Sequence, residues 1–439
     1  MKEEAALAGP DASTPSEPTS DPMRSANLAG RRVLYISYNG MLDPLGQSQV
    51  LPYLRALSGR GVQFTLLSYE RSAALAESGA DTTRSLKEEL RRSGIEWHWL
   101  HYHQRPSLPA TSFDVANGVR LGRSLIRKNK IELLHARSHI PATIALALKK
   151  QFKTKMIFDV RGLMADEYVD AEHWRKGSVA YRLTKGMERH ALAAADGVVT
   201  LTHRIWPIIK GWDGLSGRED VVHEVVPCCA DLDLFSFSET DREWRRRELG
   251  IDSDLLLVYS GSIDGWYLTE QMADFFAFAL KRRGDAHALW LTPTRHQRVR
   301  DLMRLRNVAD SRFTVVAAKP HEVPSYLSAS DAGIAFIKPC PSKLASSPTK
   351  YAEYLGCGLP LAINSGIGDS DTLISLENAG ALVRDFTPVE FEQAAATIER
   401  FTSNQERTRK LTRAIAERLF DVAGTGVESY ARLYASVLR

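Results

Sequence analysis

The stretch from Ser346 to Asp369, SSPTKYAEYLGCGLPLAINSGIGD, has the residue types and spacing of a seat for an anion at the start of a helix. Ser347 is expected at the N-cap and Pro348 at the first helical position, where a missing N–H has no consequence. The N–H groups that follow point outward, and the helix dipole adds roughly half a positive charge. Lys350 adds a full charge one turn in, so phosphate is the natural ligand. Glu353, three residues on, shares that helical face and can accept hydrogen bonds from sugar or ribose hydroxyls. Gly356 and Gly358 end the helix, Pro360 prevents its continuation, and Leu361, Ala362 and Ile363 read as the next strand. An ordinary surface helix with a solvated lysine is the competing explanation of this segment alone.

Other polar residues recur just after runs that read as strands. Tyr38, Asn39 and Gly40 precede Asp43, Pro44, Leu45, Gly46, Gln47 and Ser48, a glycine-bearing turn that opens a helix. His135, Arg137, Ser138 and His139 follow a later strand; Asp159, Arg161 and Gly162 follow the next, with Asp166 and Glu167 close behind. Gly261, Ser262, Ile263, Asp264 and Gly265 follow Tyr259, and their small side chains let backbone amides approach a ligand. Each has a plainer reading: His135 as a strand-end histidine satisfied by its surroundings, Asp159 and Arg161 as a structural ion pair. His98, His101 and His103 fit alternation at a strand end better than a metal site. His135 and His139 suit zinc only on a helix, and Pro141 suggests that the helix starts later. Trp97 and Trp99 share a sheet face and read as core, and Tyr351 and Tyr354 read as packing for their helix. The Asp-x-Asp pair Asp231 and Asp233 falls in a connecting segment, so no metal is expected.

The elements that must position these groups alternate β and α. Strands are expected at Val33–Ser37, Gln63–Ser68, Ile95–Leu100, Ile131–His135, Lys155–Asp159, Gly197–Leu201 and His223–Val226. The rhythm restarts at Leu255–Tyr259, Ala288–Leu291, Thr314–Ala317, Gly333–Ile337, Leu361–Ile363 and Ala381–Val383. That pattern predicts two doubly wound α/β domains with parallel sheets, whose ligands bind at the carboxyl ends of the strands. The expected organisation is a disordered tail over 1–28, one domain over 29–235, a second over 236–420, and a C-terminal helix over 421–439 packing back on the first. The segment after Phe391 lacks strand signals and reads as two or three helices.

Length, 439 residues, suits more than one core, and 44% hydrophobic with 25% charged residues is ordinary for a globular protein. Neither a signal peptide nor a membrane span is evident, and four cysteines without paired spacing suit a reducing compartment, so a cytoplasmic protein is expected. Charge is uneven: residues 1–210 hold 30 Lys/Arg against 21 Asp/Glu, a surplus of nine within a net charge of +4. Arg120, Arg123, Arg127, Lys128, Lys130, Lys149, Lys150, Lys153 and Lys155 concentrate it, suiting anionic lipid headgroups, a phosphorylated substrate, or simply a solvated face. Without interleaved aromatics, nucleic acid is not expected as a partner.

Taken together, LYISYNGMLDPLGQSQVLPYL from Leu34, VPCCADLDLF from Val226 and SPTKYAEYLGCGLP from Ser347 resemble the retaining glycosyltransferase family four, glycosyl transferases group 1. The resemblance runs from about residue 31 to the C-terminus. It implies a GT-B fold, in which two Rossmann-like domains face a central cleft, and a hexosyltransferase-type enzyme acting on a nucleotide-sugar such as a UDP or GDP conjugate. It implies donor binding by Gly261, Ser262, Ser347, Thr349, Lys350 and Glu353, with Glu353 on the ribose and Lys350 on the diphosphate. Asn39, Gly40, Gly46 and Gln47 would form the acceptor-side loop, and His135, Arg137, Asp159 and Arg161 the catalytic candidates. The acceptor would be a saccharide or a lipid-linked glycan in cell-surface polysaccharide or glycoconjugate biosynthesis, and peripheral contact with anionic lipid at the inner face of the membrane would go with it. No cofactor is expected, because the nucleotide-sugar is a substrate. Two departures stand out: the glutamate that many members carry eight positions before Glu353 is Ala345 here, and no Arg or Lys follows Gly261. Those departures keep open a catalytically silent binding partner, and the shared fold keeps open a nucleotide-sugar epimerase; a dinucleotide oxidoreductase lacks its glycine fingerprint.

Overall fold

The computed structural model describes residues 28–105 and 107–439; the N-terminal tail expected over 1–28 therefore lies, except for Leu28, outside the described residues. The first sheet contains β1 (Arg32–Ser37), β2 (Gln63–Glu70), β3 (Ile95–His101), β4 (Leu133–Arg137), β5 (Lys155–Asp159), β6 (Gly197–Thr200) and β7 (Val222–Val225), in the order β3-β2-β1-β4-β5-β6-β7. The second contains β8 (Leu255–Ser260), β9 (Ala286–Leu291), β10 (Phe313–Val316), β11 (Ala332–Ala335), β12 (Leu361–Asn364) and β13 (Gly380–Val383), in the order β10-β9-β8-β11-β12-β13. Every pairing is parallel. The strands expected from sequence are all present, with ends displaced by two residues at most.

Strand alternation explains why both faces are covered. On β1, Val33 and Tyr35 enter one buried cluster while Leu34 and Ile36 enter the cluster on the opposite face. The second sheet is covered likewise, Leu257 and Tyr259 on one side and Leu256 and Val258 on the other. In each sheet the strand order reverses beside the first strand, between β1 and β4 and between β8 and β11. A crevice opens at the carboxyl ends of strands where the order reverses, because the crossovers leave toward opposite faces.

The chain passes between the domains twice. An isolated bridge joins Ala230 to Asp421: Ala230 N–H donates to Phe420 O at 2.9 Å, and Val422 N–H to Ala230 O at 3.1 Å. After the helix Gln405–Phe420, a wide turn over Val422–Gly426 leads into the helix Val427–Val437. Val427, Tyr430, Leu433, Tyr434 and Val437 of that helix pack into the buried cluster containing Val33, Leu54 and Leu133 of the first domain.

Candidate active site

The helix Thr349–Gly356 starts at the carboxyl edge of the second sheet, and its first N–H groups have no helical partner. Its N-cap is Pro348 rather than Ser347, and no side chain caps it. Ser347 lies one residue too early; its Oγ instead accepts from Cys228 N–H in the first domain at 3.1 Å. Thr349 is the first helical residue and half-buried. Cys357 closes the helix, and Gly358 follows with φ +82, the left-handed geometry that ends helices.

Lys350 is 7% exposed, with its Nζ 3.9 Å from the centre of the Tyr267 ring and 5.5 Å from that of Tyr259. No carboxylate pairs with it among the described residues. Gly261 lies against this ammonium: a Cβ there would sit 3.2 Å from Nζ, and φ of +138 also disfavours a side chain. A buried cation held against ring faces, beside open backbone and a helix N-terminus, is suited to an incoming anion. The Tyr259 hydroxyl donates to Ser262 O, fixing the loop, and the Ser262 side chain is exposed. Burial raises the Glu353 carboxyl above its ordinary range, Lys350 opposing this, and no hydrogen bond reaches that carboxylate among the described residues. Asp264 in this loop is engaged by two exposed cations, Arg295 and Arg298, at 2.8 and 2.9 Å.

On the facing rim, the loop after β1 is shaped by a residue the sequence reading did not single out. Glu70, fully buried at the end of β2, accepts from Met41 N–H at 2.7 Å and Leu42 N–H at 3.2 Å. A Cβ on Gly40 would strike the Glu70 carboxylate, and one on Gly46 would strike Gly40 O, so glycine is required at both. Gln47 donates to Met41 O at 2.5 Å, and Asn39 Oδ1 accepts from Arg137 at 3.1 Å. The only advance signal for Glu70 was a carboxylate ending an otherwise apolar strand run.

The four catalytic candidates divide. His135 is 1% exposed, its Nδ1 2.6 Å from the Tyr434 hydroxyl and its Nε2 3.6 Å from Asp159. Burial holds the His135 imidazole below its ordinary range against the pull of Asp159. Asp159 is wholly buried and accepts from the Tyr430 hydroxyl at 2.8 Å. Burial pushes its carboxyl up, but Arg161, His135 and Arg137 together hold it below the usual range. Both lie on the sheet face that the C-terminal helix covers, the face of Leu133 and Ile157, and their polar atoms are turned to Tyr434 and Tyr430. Arg137 ends β4 and Arg161 lies two residues beyond β5; their side chains are nearly buried, and the Arg137 Nε has no hydrogen-bond partner among the described residues. Arg161 has φ +54, costly for a non-glycine residue, with Nη1 3.9 Å from Asp159 and Nη2 donating to Cys228 Sγ at 3.3 Å. The plainer reading of Asp159 and Arg161 as an ion pair thus holds only loosely.

The two rims touch. Lys343, 6% exposed, pairs with Glu167 of the first domain at 2.8 Å and lies 3.8 Å from the Trp266 ring centre. Asp170 accepts from Ser342 N–H at 2.9 Å, and Asp369 from His203 and Arg204 N–H at 2.8 and 3.1 Å. Ala345 packs into a first-domain cluster with Val160 and Leu163. Asp369 and Asp371 are an Asp-x-Asp pair passed over in sequence reading, as is Asp252 with Asp254; Asp371 pairs with Arg204 at 3.0 Å. Asp231 caps Asp233 and Leu234 N–H, a turn role. No three metal-ligating side chains converge among the described residues.

The remaining expectations resolve locally. His139 begins the helix His139–Lys149, earlier than Pro141 suggested, because proline in a first turn removes an N–H that would be unpaired anyway. Its Nε2 lies 2.7 Å from the Glu188 carboxylate. Trp97 is buried, 4.9 Å from Trp99, and Tyr354 is buried with its hydroxyl accepting from Ser260 N–H at 2.7 Å. In the basic stretch, Lys128, Lys149 and Lys155 are ion-paired. No described helix is long and apolar enough to cross a membrane.

Residues 46–213 match the model of the glycosyl transferase 4-like domain. No curated protein matches the chain in sequence. Among solved structures, a glycosyltransferase from Rickettsia africae is similar with a TM-score of 0.66 at 13% identity, over 93% of this chain and 99% of that one. Sucrose-phosphate synthase from Thermosynechococcus elongatus gives 0.66 at 18%, over 92% and 100%. HepE from Anabaena, solved in complex with UDP, gives 0.66 at 15%, over 92% and 100%. The chain is built on the GT-B fold, two Rossmann-like domains facing a cleft, and its first domain is related to the glycosyl transferase 4-like domain.

Proposed function

We propose that this protein transfers a hexosyl group from a nucleoside-diphosphate sugar to a hydroxyl of a saccharide or lipid-linked acceptor. The observation that carries the reading is Lys350, a buried cation with no carboxylate paired to it among the described residues, set beside Gly261 at a helix N-terminus. In this reading the diphosphate occupies that seat and Glu353 takes the ribose hydroxyls. As the bond from the anomeric carbon to the diphosphate oxygen breaks, Lys350 and the helix amides stabilise the charge that develops on the leaving group. The acceptor oxygen forms the new bond, and its proton passes to the departing phosphate. That route, which retains configuration, suits a cleft from which His135 and Asp159 are withdrawn and where Glu167 is engaged by Lys343. We further propose that the reaction needs no divalent metal, and that it takes place in the cytoplasm with the unpaired basic residues near the inner membrane face.

A thermal-shift panel of UDP, GDP, ADP, CDP and dTDP with their sugar conjugates, with and without EDTA, tests the reading. A ligand at 100 times its Kd stabilises the fold by about 2.7 kcal/mol. One selective shift that survives EDTA is the expected result, and donor turnover then separates an enzyme from a silent partner. No shift from any nucleotide overturns the proposal.

A further inference from the structure

The C-terminal helix carries two tyrosines whose rings would pack equally well as phenylalanine, yet each hydroxyl is aimed at a polar group beneath the cleft. Tyr430 donates to Asp159 at 2.8 Å. The other Asp159 oxygen, Oδ1, has no hydrogen bond among the described residues and faces Arg161 Nη1 at 3.9 Å. Arg161 in turn donates to Cys228 Sγ at 3.3 Å, and Cys228 N–H donates to Ser347 Oγ at 3.1 Å, one residue before the N-cap of the helix Thr349–Gly356. A continuous line of contacts therefore runs from the last helix, through the end of β5, across the cleft, to the anion seat.

We propose that Tyr430 is a positioning residue for Arg161, placing the first domain's guanidinium opposite the diphosphate seat formed by Lys350. The inference rests on the donor reading above. Asp159 is fully buried, and the Tyr430 hydroxyl is its one short side-chain hydrogen bond. With that bond removed, the carboxylate draws Arg161 inward to replace it, and the guanidinium leaves that place. Tyr434 is the internal comparison: it sits one turn on in the same helix, but its hydroxyl meets His135, whose other nitrogen lies 3.6 Å from Asp159, beyond hydrogen-bond range.

Pyrophosphate binding by the full-length protein, measured calorimetrically, tests this without knowledge of the base or sugar. Tyr430→Phe is expected to weaken binding about fivefold, near the effect of one net hydrogen bond. Arg161→Ala should weaken it at least as much, and the double variant should match Arg161→Ala within about twofold, because Tyr430 acts only through Arg161. Tyr434→Phe should bind as the wild type does. Wild-type affinity in Tyr430→Phe, effects that multiply in the double variant, or an equal loss in Tyr434→Phe overturns the inference. If Tyr430→Phe does not fold, Tyr430→Leu, which also removes the hydroxyl and leaves the carboxylate in place, replaces it in the same cycle, with the same outcomes. Loss of binding in Lys350→Met with Tyr430→Phe unaffected overturns this inference alone; a wild type that binds neither pyrophosphate nor any nucleoside diphosphate overturns the donor reading as well.

Discussion

Replacing Lys350 with methionine isolates one charge. The methionine stem can keep its place against Tyr267 and Tyr259, while the ammonium, 3.9 Å from the Tyr267 ring centre, is removed. The lost cation–π contact costs about 0.5–2 kcal/mol, and relief from holding an unpaired charge at 7% exposure offsets it. No carboxylate within ion-pair reach is left stranded among the described residues, so stability is expected to stay within about 1 kcal/mol of wild type. Binding of a nucleoside diphosphate should suffer far more. One hydrogen bond from a charged donor is worth about 1.5–3 kcal/mol, hence a Kd raised roughly 10- to 150-fold. Calorimetric titration with the diphosphate selected by the thermal-shift panel, beside urea unfolding of both proteins, separates the two quantities. A Kd within twofold of wild type would refute the argument that this cation awaits a phosphate. A stability loss above about 3 kcal/mol would show that Lys350 is structural.

Glu353→Gln should weaken a nucleoside diphosphate by about 1.5–3 kcal/mol while leaving pyrophosphate affinity unchanged, since the carboxylate is assigned to the ribose; equal losses for both ligands would contradict that assignment. His223 and His287 are each pushed by burial to about 4 from 6.5, so they fold uncharged. The unfolded chain binds those protons first, so stability should fall as pH drops from about 6.5 towards 4, and His287→Gln should flatten that slope in denaturant titrations. Deleting residues 421–439 removes Val427, Tyr430, Leu433, Tyr434 and Val437 from the first core at about 1.5–3 kcal/mol each, of the order of a domain's whole stability. The truncated chain should lose cooperative unfolding of its first domain, and an unchanged proteolysis pattern would contradict this.

Local pattern made the fold legible. Strands such as Leu255–Ser260 and Leu361–Asn364 are apolar runs bounded by turn residues, and their buried, parallel setting preserves that signature. The seat around Lys350 was legible for a similar reason, because Pro348, Lys350, Glu353 and Gly358 act within three turns of one another. Ser347 was misplaced by one residue, since an N-cap is fixed by backbone angles that serine and proline in sequence leave open. The other rim depends on distant partners. Nothing near His135 or Asp159 announces that Tyr434 and Tyr430, 299 and 271 residues away, will bury them. Glu70 and the Glu167–Lys343 pair were hidden likewise: charge at a strand or helix end is common, and only the closed arrangement of two domains shows which charges meet.

The return of the last helix to the first domain has a consequence for the order of events at the ribosome. β7 ends at Val225, and the helix that completes its sheet's core begins at Val427. At about 5–20 residues per second, roughly 10–40 s of synthesis separate the two. Throughout that interval the nascent first domain exposes the apolar groove that the final helix will occupy, while the whole second domain emerges and folds. The first half of this protein is thus the last to finish, and its solubility during translation depends on whatever shields that groove in the meantime.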